Sequence, residues 1–177
     1  MDKDPWNVPV TAATIPDTGL HMEIEAPPET RAQIATLVNV REVPRLSAVF
    51  DLTRRGAGVH VAGRVSALVG QTCVVSLEPM ETLVDEVVDL LFVPPPAGAE
   101  HAGSEVVVSP GENDPPEPLI GGKINLGAVA IEFLVLGIDP YPRKPDAEFA
   151  APKIEDAAAN PFAALEALKK RPGGGQT

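Results

Sequence analysis

The sequence predicts an α+β protein: an antiparallel β-meander with helices packed against it, barrel-like closure being left open as an alternative. Three observations carry that prediction. Two central runs, Leu46 to Leu52 and Val59 to Val69, place apolar residues at every second position, which is strand periodicity. Two further runs, Pro28 to Val38 and Asn125 to Ile138, carry apolar residues at helical spacing. Hydrophobic residues make up 44% of the 177-residue chain but aromatic ones only 4%, so one ordinary-sized core must be built from Val, Leu, Ile and Ala.

The elements follow in chain order. Val8 to Thr11 and Leu20 to Glu25 read as short strands separated by the Pro16-Asp17-Thr18-Gly19 turn. Pro28 to Val38 reads as a helix whose apolar face is Ile34, Leu37 and Val38. Leu46, Ala48, Phe50 and Leu52 then share one face of a strand, and Val59, Val61, Val65, Ala67 and Val69 share one face of the next. The hairpin register expected from these faces sets Leu52 against Val59, Phe50 against Val61 and Leu46 against Val65. It leaves Arg54 and Arg55 in a four-residue tip and puts Asp51 opposite His60. The alternation continues through Cys73 and Val75, with a bulge expected near Gly70. After a Glu78-Pro79 turn, Thr82 to Phe92 returns as a third strand with Val84, Val88, Leu90 and Phe92 inward. Asn125 is placed to cap the second helix. Pro140, Pro142 and Pro145 lead away from it in an extended path.

Prolines (20) and glycines (15) cluster in the second half, so irregular segments are expected there. Residues 1–145 are read as a single domain with a mobile acidic loop near 97–118, where Val106-Val107-Val108 is a weaker candidate for an edge strand. Residues 146–177 are read as a flexible linker and a short helix. That terminal helix has all its signals: Asn160 as cap, Pro161 in the first turn, Phe162, Leu165 and Leu168 on one face, and Lys169-Lys170-Arg171 at the negative end of the dipole. So short a helix is marginal alone in water, so it is expected to dock.

The net charge of −11 disfavours nucleic acid and anionic membranes for the chain as a whole. The charge is uneven, however. Between residues 31 and 64 there are six arginines (Arg31, Arg41, Arg45, Arg54, Arg55, Arg64) against Glu42 and Asp51, whereas residues 65–122 hold ten acids and no Lys or Arg. Arg41, Arg45, Arg54 and Arg55, extended by Arg143 and Lys144, are the candidate contacts to RNA phosphate or to a protein partner. Trp6 and Tyr141 are the only Trp and Tyr, so base stacking on an aromatic platform is not expected.

Enzyme chemistry finds no footing. One cysteine and three scattered histidines (His21, His60, His101) make no metal set, and no metal or other cofactor is expected. Gly122-Lys123 is followed by Ile124 rather than Ser or Thr, which breaks the phosphate-loop pattern. Cys73 falls on an apolar strand face and reads as a buried thiol without a base. Asp85 and Asp89 read as a solvated face. Glu132 sits among apolar helical neighbours and either finds a partner, such as Lys123, or lies at the rim in water. The start, Met1 to Pro5, has no signal pattern, and Leu126 to Ile138 is too short to span a bilayer, so a cytoplasmic protein is expected.

The order of landmarks carries a resemblance. A strand reaches Cys73 and then Leu77-Glu78-Pro79. Asn125-Leu126-Gly127 and Glu132 to Leu136 follow, then Pro140-Tyr141-Pro142, then Asn160-Pro161-Phe162 with Leu165. In this the stretch from about Leu46 to Lys170 resembles the YceD family of bacterial proteins. The resemblance implies a role in accumulation of large-subunit ribosomal RNA, and so in ribosome biogenesis. Many members show Cys-x-Arg-Cys before the turn and a second cysteine pair after the Pro-rich segment. Here Val75 and Ser76 replace the arginine and second cysteine of the first set, and Arg143-Lys144-Pro145 stands at the second, so no metal or redox role of the cysteines carries over. The expectation is a non-enzymatic factor whose partner is large-subunit rRNA or a ribosomal protein. The alternative is an acidic adaptor that shields a basic ribosomal protein without touching RNA. In either case the terminal helix is expected to insert Phe162, Leu165 and Leu168 into a groove.

Overall fold

The alternating apolar runs become three long strands of one sheet. A computed structural model describes residues 5–95 and 116–149. The chain divides into two compact units, Met1–Ala147 and Glu148–Thr177, and every element below belongs to the first. In chain order these are β1 (Pro9–Thr11), β2 (Leu20–Glu25), α1 (Pro28–Leu37), β3 (Glu42–Arg55), β4 (Gly58–Thr72), β5 (Pro79–Val93), β6 (Glu117–Pro118), β7 (Lys123–Asn125) and α2 (Leu126–Gly137). The main sheet has the order β2-β3-β4-β5-β6. Its first four strands are antiparallel, and β6 joins β5 in parallel at Phe92 and Val93. β1 and β7 form a separate antiparallel pair. The fold is thus α+β as expected. Among the described residues β2 and β6 are edges that do not meet, so the sheet is open and not a barrel.

The inward faces are those read from periodicity. Leu46, Ala48, Phe50 and Leu52 of β3, Val59, Val61, Val65, Ala67 and Val69 of β4, and Val84 and Val88 of β5 are all buried. Leu90 and Phe92 pack at the margin of the same core. The β3–β4 register differs from the expected one by two residues: Leu52 faces Val61, Phe50 faces Gly63 and Ala48 faces Val65. A shift of two keeps every side chain on its own face, so facial patterning cannot distinguish the two registers. The turn decides. Arg55 pairs with Gly58 around Gly56-Ala57, with Gly56 at φ +59°, a two-residue hairpin loop that suits strand twist. Gly63 also favours this register, because a Cβ there would lie 2.8 Å from the Phe50 ring. The ring occupies the room the glycine leaves.

The expected bulge is present but lies on β3. Glu42 faces Gly70 and Arg45 faces Leu68, so Val43 and Pro44 together oppose Val69. Pro44 has no N–H for the ladder and sits where the ladder is interrupted. Cys73 and Val75 lie beyond β4, in the turn to β5 that ends at Glu78.

α1 and α2 complete the core. In α1 Ile34 and Ala35 are buried, but Leu37 is 61% exposed, against expectation. The helix stops at Leu37 and the chain reverses through Asn39 at φ +55°, which directs Val38 and Val40 inward instead. In α2 Leu126, Val129, Ala130, Ile131 and Leu134 are buried, while Glu132 reaches water. Asn125 stands at the N-cap position of α2, but its side chain makes no cap bond into the helix. Its Oδ1 accepts the Val8 N–H at 2.8 Å, which ties the start of the chain to the start of α2. Of the acidic loop expected near 97–118, residues 97–115, with Val106 to Val108, lie outside the described residues, while Glu117–Pro118 is not loop but the strand β6. The helix expected over residues 160–171 also lies outside the described residues.

Candidate functional site

The β3–β4 hairpin carries basic residues at both of its ends. At the tip, Arg54 and Arg55 are exposed beside Gly56-Ala57. An open cleft of about 390 Å³ lies against the tip, lined by Thr11, Arg54, Gly56, Gly58, Gly121 and Gly122. Gly121 and Gly122 have φ of +60° and +67°, and a Cβ on either would meet nothing within 4 Å. Their glycine identity therefore serves the left-handed backbone and not a tight contact. Arg54 approaches Asp17 only to 3.9 Å and Arg55 makes no ion pair among the described residues, so both guanidinium groups are available.

The second group lies at the opposite end. Arg45 faces Leu68, and the Arg41 N–H donates to the Gly70 carbonyl at 2.9 Å. Nine residues separate Arg45 from Arg54, about 30 Å of extended chain. A cleft of about 220 Å³ joins Arg41 and Gln71 to Val74, Pro140 and Pro142. Arg143 is exposed next to it. Lys144 is partly buried, and its Nζ bonds Glu78 Oε2 at 2.7 Å. That cation holds the Glu78 carboxyl below the usual range, first by the hydrogen bond and then by its charge. The six basic candidates thus form two groups. Arg54 and Arg55 make one. Arg41, Arg45 and Arg143 make the other, with Lys144 already paired. Asn160, Pro161, Phe162, Leu165 and Leu168 lie outside the described residues.

Between these ends, the sheet face opposite the helices is acidic and ordered by cross-strand pairs. His21 Nδ1 lies 2.7 Å from Asp51 Oδ1 and His60 Nε2 lies 2.7 Å from Asp89 Oδ1. The expected Asp51–His60 pair does not form, because the two-residue register difference sets Asp51 beside Ala62. Asp51, and less strongly Glu23, raise the His21 pKa. Arg64 Nη1 donates to Asp85 Oδ2 at 2.7 Å and Ser66 Oγ to Asp85 Oδ1 at 3.2 Å, which lowers the Asp85 pKa, with Arg64 the larger cause.

Cys73 is buried, as expected, but its surroundings were not legible from sequence. The N–H groups of Ser76 and Lys144 point at its sulfur from 3.5 and 3.4 Å. The buried Ser76 hydroxyl lies beside both this sulfur and the Glu78 carboxylate and can turn its proton to the sulfur. These donors, the Ser76 hydroxyl first, bring the thiol down to about 6 against the opposing effect of burial. The positions at which the family resemblance sets its two cysteine pairs therefore meet in space, and in this chain backbone donors and a lysine–glutamate pair fill the place. Only the chain reversal after α2 brings Lys144 to Cys73.

Among the described residues no cluster of His, Cys, Asp and Glu could hold a metal, and no helix is long and apolar enough to cross a membrane. No curated protein and no solved structure matches the chain. A family model does: the one described as large ribosomal RNA subunit accumulation protein YceD matches residues 61–169, from β4 through the Cys73–Lys144 junction to the Asn160-Pro161-Phe162 segment. On that match the chain belongs to the YceD family.

Proposed function

We propose that the protein supports large-subunit rRNA accumulation as a non-enzymatic binding factor that holds RNA phosphate at the tip of the β3–β4 hairpin. The observation that carries this is Arg54 lining an open glycine-lined cleft, with Arg55 exposed next to it on the other face of the hairpin tip. Exposed arginine beside backbone free of side-chain cover is the chemistry of phosphate contact, and it positions without reading sequence. The acidic sheet face repels RNA and confines contact to the ends of the hairpin. The terminal segment with Phe162, Leu165 and Leu168 serves as a separate grip on a partner.

The test is a gel shift of the full chain on large-subunit rRNA across a salt series. Each phosphate contact adds about 0.7–0.9 to the salt slope, so an Arg54→Ala/Arg55→Ala variant is expected to lose about 1.4–1.8 of it. No binding at low salt, or an unchanged slope in the variant, rejects RNA contact at the tip. A second reading, an adaptor for a basic ribosomal protein, is favoured by one observation. Among the described residues Glu23, Glu25, Asp51, Glu81, Asp85 and Asp89 share the sheet face opposite the helices, with Arg45, Arg55 and Arg64 as its fixed cations. Pull-downs with and without residues 160–171 test the separate grip, and an unchanged partner list rejects it.

A further inference from the structure

β5 is fifteen residues long, yet on its outer side β6 covers only Phe92 and Val93. Two hydrogen bonds fix which of its backbone groups face that side. The Val93 carbonyl accepts from Leu119, on the β6 side, at 2.7 Å, and the Glu78 carbonyl accepts from Cys73, on the β4 side, at 2.9 Å. Backbone groups alternate sides along a strand, so odd-numbered residues of β5 direct both N–H and C=O away from β4. From Glu81 to the Leu91 N–H that is an edge of about 34 Å with no strand partner among the described residues, the Leu91 carbonyl lying at the Phe92–Glu117 pairing with β6.

The side chains of the same odd residues are all exposed on the acidic face. In order they are Glu81, Leu83, Asp85, Val87, Asp89 and Leu91, an acid and an apolar residue in turn. Arg64 and His60 hold Asp85 and Asp89 in place from the neighbouring strand. A second copy of the chain is disfavoured here. An antiparallel β5–β5 pair centred on Val87 sets Asp85 against Asp89, and one centred on Asp85 sets Glu81 against Asp89. The register between them sets every acid against an apolar residue, so no register gives the acids a partner. Like charges directly opposed destabilise a sheet, which is how natural edges avoid self-pairing. The same acids favour a cationic strand.

We propose that the free edge of β5 takes up an extended, Lys/Arg-rich segment of a partner protein as an added strand. Main-chain bonds to the odd residues from Glu81 to Leu91 hold the segment, and the alternation along β5 specifies its sequence. On the outer face a cation opposes each of Glu81, Asp85 and Asp89, and an apolar residue opposes each of Leu83, Val87 and Leu91. Cations therefore recur every fourth residue, with apolar residues midway between them. The inference deepens the adaptor reading by naming its surface, and it does not depend on RNA contact at Arg54 and Arg55.

The test uses the full chain and a synthetic peptide with lysine and valine in that four-residue repeat and threonine between. Its controls are the same peptide with glutamate for lysine and one of equal composition with the repeat scrambled. The expected result is binding of the ordered basic peptide alone. Amide exchange should slow at Leu83, Asp85, Val87, Asp89 and Leu91, whose N–H groups face outward. Val87→Pro removes one outward N–H and none that serves β4, and is expected to weaken the peptide about tenfold. Glu81→Lys with Asp89→Lys is expected to transfer preference to the glutamate peptide, and it serves as the charge test should Val87→Pro unfold. Equal binding of the scrambled peptide, or exchange protection absent from these five amides, overturns the proposal. Binding of the ordered peptide by a chain that shows no RNA binding would leave the edge proposal standing while rejecting phosphate contact at the tip, and the reverse result would do the opposite, so the two failures are separable.

Discussion

The backbone N–H of Lys144 donates to the sulfur of Cys73 at 3.4 Å across 71 residues of sequence, while the Lys144 ammonium bonds Glu78 at the far side of the same turn. One residue thus closes the β4–β5 turn against the segment that leaves α2. Val74 and Pro142 reinforce it with a backbone bond of 2.9 Å.

This junction makes stability depend on pH through Cys73. The folded thiol is lowered to about 6, below the ordinary thiol range of about 8.5. A lowered acid stabilises the fold above its unfolded pKa and loses that contribution as pH falls through the folded value. Unfolding midpoints in denaturant, measured under reducing conditions, should therefore rise between about pH 6 and pH 8.5 relative to Cys73→Ala. A constant difference between the two proteins over that window would refute the thiolate.

The carboxyls of Glu78 and Asp85 are lowered by Lys144 and Arg64, so they too stabilise above the ordinary carboxylate range and cease to do so as pH falls through their folded values. Arg64→Gln should move the Asp85 carboxyl resonance to titrate at higher pH. Added salt should produce part of that shift in the parent protein, because the pair is exposed.

His21 has the opposite sign. Its pKa is raised by Asp51, so its contribution is full at low pH and disappears as pH rises through the raised value. Asp51→Asn should return the His21 imidazole signals toward an ordinary midpoint, since Asp51 is the larger cause. Unmoved signals would show that Asp51 does not hold the His21 imidazole.

Gly63 and Gly56 should respond to alanine for different reasons. At Gly63 the new methyl meets β3 backbone and the Phe50 ring, and the cost is expected at about 1–3 kcal/mol by overpacking. At Gly56 there is open space but φ is +59°, and the cost is expected at about 1–2 kcal/mol from left-handed strain alone. Pairing Gly63→Ala with Phe50→Leu should recover part of the first loss and none of the second, as read from denaturant midpoints.

Phe50 is fully buried at the centre of β3, and Phe50→Ala should cost about 3–5 kcal/mol. Val49→Ala, on the opposite and more open face, should cost well under about 1 kcal/mol.

Much of this molecule was legible because strand and helix periodicity are local. The inward faces of β3, β4 and β5, the buried thiol at Cys73 and the helix after Asn125 follow from the spacing of Val, Leu, Ile and Ala along the chain. Leu37 misled because a helix face does not say where its last turn ends, and the reversal at Asn39 turned that side chain out. Glu132 could be read either way from its neighbours, and only the position of α2 on the sheet put it in water.

By itself, then, the sequence determined which residues face inward, where the chain must turn, and the series of landmarks by which it belongs to its family. Tertiary structure alone decided the pairings. Registers two residues apart bury the same side chains, so the choice between them fell to the Gly56-Ala57 turn and to the room Gly63 leaves for Phe50. That choice gave Asp51 to His21 and Asp89 to His60. The length of β3 likewise parted Arg45 from Arg54, because nine steps of extended strand are about 30 Å of distance. Contacts as remote as Lys144 to Cys73 leave no periodic trace, since nothing local in either segment requires the other.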